Sequence, residues 1–164
     1  MSRKKAVLWI EDDATYNLQY VASPVIMNPH LDLTLAATVT EAVHQLTRKN
    51  YDAVVFDLRL PPGDFNEWIS MKQYLNQVGE PPRLGLHLLL NLFQCAPDEK
   101  LRVSIPQMTS QVDINRVGIL SVDPLDDVGS MLQCTSFRAD NYRQKRAGMS
   151  SRILLNLVER LVQS

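Results

Sequence analysis

Two apolar runs in this chain stop abruptly on carboxylates. In Tyr51 to Pro61, YDAVVFDLRLP, the run Ala53-Val54-Val55-Phe56 ends on Asp57, and near the start Ala6-Val7-Leu8-Trp9-Ile10 runs into Glu11-Asp12-Asp13. An ionised Asp where a buried strand meets the surface costs desolvation, which a fold tolerates when a metal, a partner or a reaction stabilises the charge. If the two runs lie side by side in a parallel sheet, their terminal carboxylates gather at one edge. Such groups repel unless something positive sits between them, and a set of hard oxygen ligands suits Mg²⁺. Asp13 has a blander reading as the cap of a following helix, and that reading is preferred for it.

The elements that must position these groups can be read from periodicity. Both runs are short, apolar and rich in β-branched and aromatic residues, as strands covered on both faces are, and Pro61 blocks further pairing after the second. Between them, Thr15 to Ile26 reads as a helix interrupted near Pro24, Leu31 to Ala37 as a strand with alternate apolar residues, and Thr40 to Lys49 as a compact helix. His44 in that helix has no cysteine or carboxylate in register and reads as a surface or half-buried side chain. Strand, helix, strand, helix, strand is the alternation of a parallel doubly wound α/β sheet, in which ligands bind at the carboxyl ends of the strands. Asp57 is at that edge.

Length and composition narrow the function classes. The chain has 164 residues and a mass of 18.6 kDa, one domain by the usual measure and large enough for a core without staples. A net charge of −1 and a pI near 6.3 give no general reason to expect nucleic-acid binding. The basic clusters Arg3-Lys4-Lys5 and Arg143-Gln144-Lys145-Arg146 are short enough to be solvated surface. Cys95 and Cys134 are isolated in sequence, without CxxC spacing, and read as reduced thiols of a cytosolic protein. No segment reaches the length of a spanning helix, and the opening residues return to charge at Glu11 too soon for a signal-peptide core. A cytoplasmic location without membrane contact is expected.

The stretches VLWIEDD, YDAVVFDLRLP and ADNYRQKRAGMSSRILLNLVERL together resemble the receiver domain of two-component response regulators. The resemblance implies a flavodoxin-like fold, a five-stranded parallel sheet with helices on both faces. It places Glu11 and Asp12 on the metal-binding acidic pair, Asp57 on the phosphoacceptor, and Arg59 on the residue whose backbone carbonyl completes the metal site. Lys145 falls on the active-site lysine and Tyr142 on the switch aromatic. Phosphoryl transfer to a carboxylate needs charge neutralisation above all, because donor and acceptor are both anionic. Mg²⁺ held by Asp12 and Asp57, with Glu11 acting through water, would supply most of it, and Lys145 the rest as a mobile point charge.

The middle of the chain departs from the family. Asp57 and Lys145 are 88 positions apart, some tens of residues more than usual, so an insertion within about 62–116 is implied. Asp64 and Glu67 have capping-box spacing ahead of an apolar stripe, Trp68, Met71, Leu75 and Val78. Gly79-Glu80-Pro81-Pro82 breaks that helix. Leu84 to Phe93 is apolar nearly all round and reads as a second, buried helix, with His87 packed inside it; so apolar an insertion should be ordered. Two strand candidates follow, Leu101 to Ile105 and Val117 to Val122. Distance from Lys145 favours the second as the fourth strand, which makes Ser121 the phosphoryl-contacting hydroxyl and Ser104 the runner-up. Val122 stands where the family commonly has a small residue, and Arg146 where it has a proline, which puts a cis peptide after Lys145 in doubt. The last helix, Ser150 to Val162, should dock on the sheet.

The sequence therefore supports a stand-alone receiver, with no output domain on this chain. It would accept a phosphoryl group on Asp57 from a histidine kinase or phosphotransfer protein and signal to a downstream protein, and a homodimer is left open. The alternative is a receiver-like binding module that has lost phosphotransfer and uses the insertion as its contact surface. A Mg²⁺-dependent hydrolase is a distant third, because no second nucleophile or base accompanies Asp57. Neither a phosphate-cradling glycine loop, a nucleophile elbow nor zinc spacing occurs.

Overall fold

Each strand alternates its side chains between two apolar layers, and this alternation organises the fold. The structure, a computed structural model, describes residues 2–106 and 112–163. Its strands are β1 (Lys5–Ile10), β2 (Leu31–Ala36), β3 (Ala53–Phe56), β4 (Val117–Ser121) and β5 (Tyr142–Gln144), all parallel in the order β2-β1-β3-β4-β5. This is the doubly wound, flavodoxin-like sheet expected from the sequence. Its helices are α1 (Gln19–Ile26), α2 (Val39–Arg48), α3 (Asn66–Gln77), α4 (Leu84–Leu92), α5 (Leu125–Leu132) and α6 (Ile153–Val162). Val7, Trp9, Val55 and Leu120 point to one layer with α1 and α6. Leu8, Ile10, Val54, Phe56 and Ile119 point to the other, with α2, α3, α4 and α5.

Local chemistry moves several boundaries. Helix α1 opens only at Gln19, so Asp13 does not cap it; its carboxylate instead accepts from the Asn17 side chain at 3.0 Å and organises the preceding turn. Pro24 lies inside α1, where it removes one i→i−4 hydrogen bond, yet the helix runs on to Ile26. Helix α2 carries the better cap, with Thr38 Oγ1 accepting from the Glu41 N–H. Helix α3 starts beyond Asp64 with no side-chain cap, and of its expected stripe Trp68, Met71 and Leu75 are buried while Val78 is exposed.

The segment expected as an insertion is built into the core. Every residue of α4 from Leu84 to Leu90 is buried, His87 included. Leu101 to Ile105 is not a strand: after a 3₁₀ turn at Glu99–Leu101 the backbone is irregular, and Asn91 satisfies it by donating to Leu101 O and accepting from Val103 N. Ser104 is therefore on no strand, whereas Ser121 ends β4. Of the polar stretch 107–116, residues 107–111 lie outside the described residues. Helix α5 has no counterpart in the sequence reading, since its eight residues hold a mid-helix Gly129 and two acidic residues that mask the apolar face.

The cysteines are the clearest correction. Cys95, after α4, and Cys134, after α5, form a disulfide with Cα atoms 5.9 Å apart, although they are 39 positions apart in sequence. They are not isolated thiols, and the argument for a reducing compartment that rested on them falls. Their proximity comes from α4 and α5 packing on one sheet face, which local spacing cannot reveal. Among the described residues no helix is long and apolar enough to cross a membrane.

Candidate functional site

The parallel register places the acidic groups at one edge. Ile10 pairs with Phe56, so Glu11 and Asp57 emerge next to each other, and the Asp57 N–H donates to Ile10 O at 2.9 Å. One oxygen from each of Glu11, Asp12 and Asp57 lies within 4.8 Å of the others. Asp12 is exposed, whereas Glu11 and Asp57 are buried. This donor set, three carboxylates with one open to solvent, fits a hard divalent cation such as Mg²⁺.

Lys145 enters from the end of β5. Its N–H donates to Ser121 O at 2.7 Å, which anchors the backbone, and its side chain is 11 % exposed. Nζ donates to Glu11 Oε2 and stands 3.3 Å from Asp57 Oδ2. It is therefore no solvated member of a basic run. Burial raises the Glu11 carboxyl well above the usual range, and Asp57 adds to the shift while Lys145 opposes it. Asp57 is also raised, by burial first, with Lys145 and the Arg59 N–H pulling it back. For Lys145 burial works against the charge, but Asp57 and Glu11 outweigh it and hold the ammonium protonated. The edge carries more negative charge than one lysine neutralises.

Arg59, Ser121 and Tyr142 meet at a residue the sequence reading passed over, Asp123. Arg59 donates its backbone N–H towards Asp57 Oδ1 at 3.4 Å, but its guanidinium reaches Asp123 through Nε at 3.0 Å and Nη2 at 2.8 Å. Arg83, immediately before α4, pairs with the same carboxylate at 3.2 Å. Ser121 Oγ lies 3.4 Å from Asp123 Oδ2, and the Tyr142 hydroxyl donates to Asp123 O at 2.5 Å. Tyr142 is thus packed inward, and burial raises its phenol. Asp123 is buried, which alone would raise its carboxyl, yet the two guanidiniums hold it below the usual value. Only the Asp-Pro pair at 123–124, a turn signal after a strand, could have drawn attention to it.

Val122 is half exposed and, with Asp12, Asp57, Arg59, Lys145 and Tyr20, lines a cleft of about 490 Å³ over the carboxylates. No cis peptide occurs among the described residues, the bond before Arg146 included.

The sequence matches no protein-family model, and comparison with curated proteins finds no match. Solved structures do match. The Francisella response regulator 1452 receiver domain aligns with 98 % of each chain at 23 % identity and a TM-score of 0.57. The fold is that of response-regulator receiver domains. A CheY-like response regulator receiver domain protein from Methanospirillum hungatei JF-1 aligns over 98 % of this chain and 94 % of its own at 15 % identity, TM-score 0.58. The receiver domain of the sensor histidine kinase PA1611 from Pseudomonas aeruginosa PAO1, with magnesium coordinated in its active-site cleft, covers 98 % and 99 % at 18 % identity, TM-score 0.52. The receiver fold puts the edge that carries Asp57 where open α/β sheets bind ligands.

Proposed function

We propose that the chain is a phosphoacceptor signalling protein: Asp57 takes a phosphoryl group from a histidine kinase or phosphotransfer protein, and the protein signals through contacts with a downstream partner. The observation that carries this reading is Lys145 Nζ at 3.3 Å from Asp57 Oδ2, with Glu11 and Asp12 beside them. A carboxylate serves as nucleophile when a cation offsets the charge of the incoming phosphoryl group, and Lys145 is held in place to do so. Glu11, Asp12 and Asp57 would hold Mg²⁺, which would neutralise the equatorial oxygens. An Asp57 oxygen attacks phosphorus, and the bond to the donor's leaving group breaks with its electron pair leaving on that group. In the reverse sense water attacks phosphorus, the Asp57 oxygen departs as carboxylate, and phosphate and a proton are released.

The other carboxylates lining the cleft are Glu11, Asp12 and Asp13, of which Glu11 and Asp12 would be taken up by Mg²⁺, and no histidine lines it among the described residues, which favours slow self-catalysed turnover over an enzymatic hydrolase. The binding-module alternative is weakened by α4, whose apolar side chains are spent on the core; of the large apolar side chains described in this segment, Phe65 and Val78 are the exposed ones. Kinases draw on intracellular ATP, so this chemistry favours a cytoplasmic setting, in which the Cys95–Cys134 bond would be open to reduction. Intact-mass spectrometry after incubation with acetyl phosphate and Mg²⁺ tests the proposal. An acid-labile adduct of one phosphoryl group is expected on the wild type and none on Asp57→Asn; no adduct and no Mg²⁺ binding on the wild type would return the binding module to first place.

A further inference from the structure

Asp123 is a buried carboxylate that neutralises nothing in the proposed transfer, yet it engages the groups an anion on Asp57 would need. Arg59 and Ser121 are donors at this edge besides Lys145. Arg59 already points its N–H at Asp57, and Ser121 ends the strand adjacent to β3. Both side chains turn to Asp123 instead: Arg59 with a forked pair at 2.8 to 3.2 Å, Ser121 with a long contact at 3.4 Å.

We propose that Asp123 is a positioning residue that holds Arg59 and Ser121 in reserve and competes for both with the phosphoryl group on Asp57. The proposal rests on the phosphoacceptor reading. Its second support is the doubling of the arginines. A single buried ion pair cannot give up its cation without leaving a bare, poorly solvated charge. Asp123 has two cations of unequal freedom: the Arg83 side chain is 13 % exposed and fixed by the insertion, whereas that of Arg59 is 48 % exposed and borders the cleft. Arg59 can leave for a new anion while Arg83 keeps Asp123 neutralised. The insertion, on this view, supplies the compensating charge that makes the exchange possible. The weak Ser121 contact would break at little cost, since a hydrogen bond at that length is worth less than one to a phosphoryl oxygen.

The test is affinity for beryllium fluoride, an aspartyl-phosphate mimic, at saturating Mg²⁺, read by fluorine NMR. The wild type should form the adduct, Asp123→Asn should bind it about tenfold more tightly, the scale of one charge-assisted hydrogen bond, and Arg59→Met more weakly. In the double variant most of the gain from Asp123→Asn should vanish, because Arg59 is the main group released and the Ser121 contact is weak. Equal or weaker affinity in a folded Asp123→Asn protein, or a gain that persists undiminished without Arg59, overturns the proposal. Should Asp123→Asn fail to fold, Arg59→Met decides alone: unchanged affinity would mean that Arg59 never leaves Asp123. A wild type that behaves like Asp57→Asn and takes up no beryllium fluoride overturns the phosphoacceptor reading itself, and this inference with it.

Discussion

Gly85, the second residue of α4, lies directly against the backbone of Asp57: a β-carbon added there would stand 1.9 Å from the Asp57 carbonyl oxygen and 3.0 Å from its carbon. Its N–H donates to Leu58 O at 2.9 Å, so the start of α4 is fastened to the segment that carries Asp57. Neither side can yield without moving backbone. Gly85→Ala should therefore destabilise by about 1–3 kcal/mol or more and displace Asp57, lowering its phosphorylation in the folded fraction. Gly129→Ala is the control, because its added methyl meets only Leu125 side-chain atoms at 3.8 Å or more and gains helix propensity. Urea unfolding and acetyl-phosphate labelling of both variants check this; equal midpoints would mean that α4 is free to shift.

Val122 should prolong the phosphorylated state. It walls the cleft beside Asp57 without adding a polar atom, and hydrolysis needs water in line with the departing Asp57 oxygen. Val122→Ala, loaded, freed of donor and followed at constant Mg²⁺, should lose its phosphoryl group several-fold faster, a change that needs only about 1 kcal/mol. Equal decay would show that Val122 does not limit the approach of water.

Stability should fall in mild acid because of His87. Burial lowers its pKa from the usual 6.5 to about 4, and Nδ1 has no partner among the described residues. The folded state binds fewer protons than the unfolded chain, so the contribution is complete above about 6.5 and is lost as pH falls towards about 4. It amounts to about 3 kcal/mol at most. His87→Leu should flatten the stability profile over that interval, and an unchanged slope in denaturant titrations from pH 7 to 4 would assign the acid lability elsewhere.

Removing the disulfide should lower stability by about 2–4 kcal/mol, from the freedom regained by the unfolded chain. Cys95→Ala with Cys134→Ala should match the wild type under reductant and fall below it without reductant. Coincident unfolding curves in all conditions would mean that the bond does not form in solution.

What could be read along the chain was whatever contiguous residues encode. Apolar runs that end on Glu11 and Asp57, the helical stripe of α3 and the all-apolar α4 are local patterns of period or composition, and their βαβ order suffices for the sheet. Together with the resemblance they point to the acidic edge, Ser121, Tyr142 and Lys145. The tertiary structure alone decided that Asp123 would hold Arg59 and Arg83, that Gly85 would lie on the Asp57 carbonyl, and that Cys95 would meet Cys134. Each joins residues tens of positions apart, and such contacts depend on how helices cross a twisted sheet, which no local periodicity records.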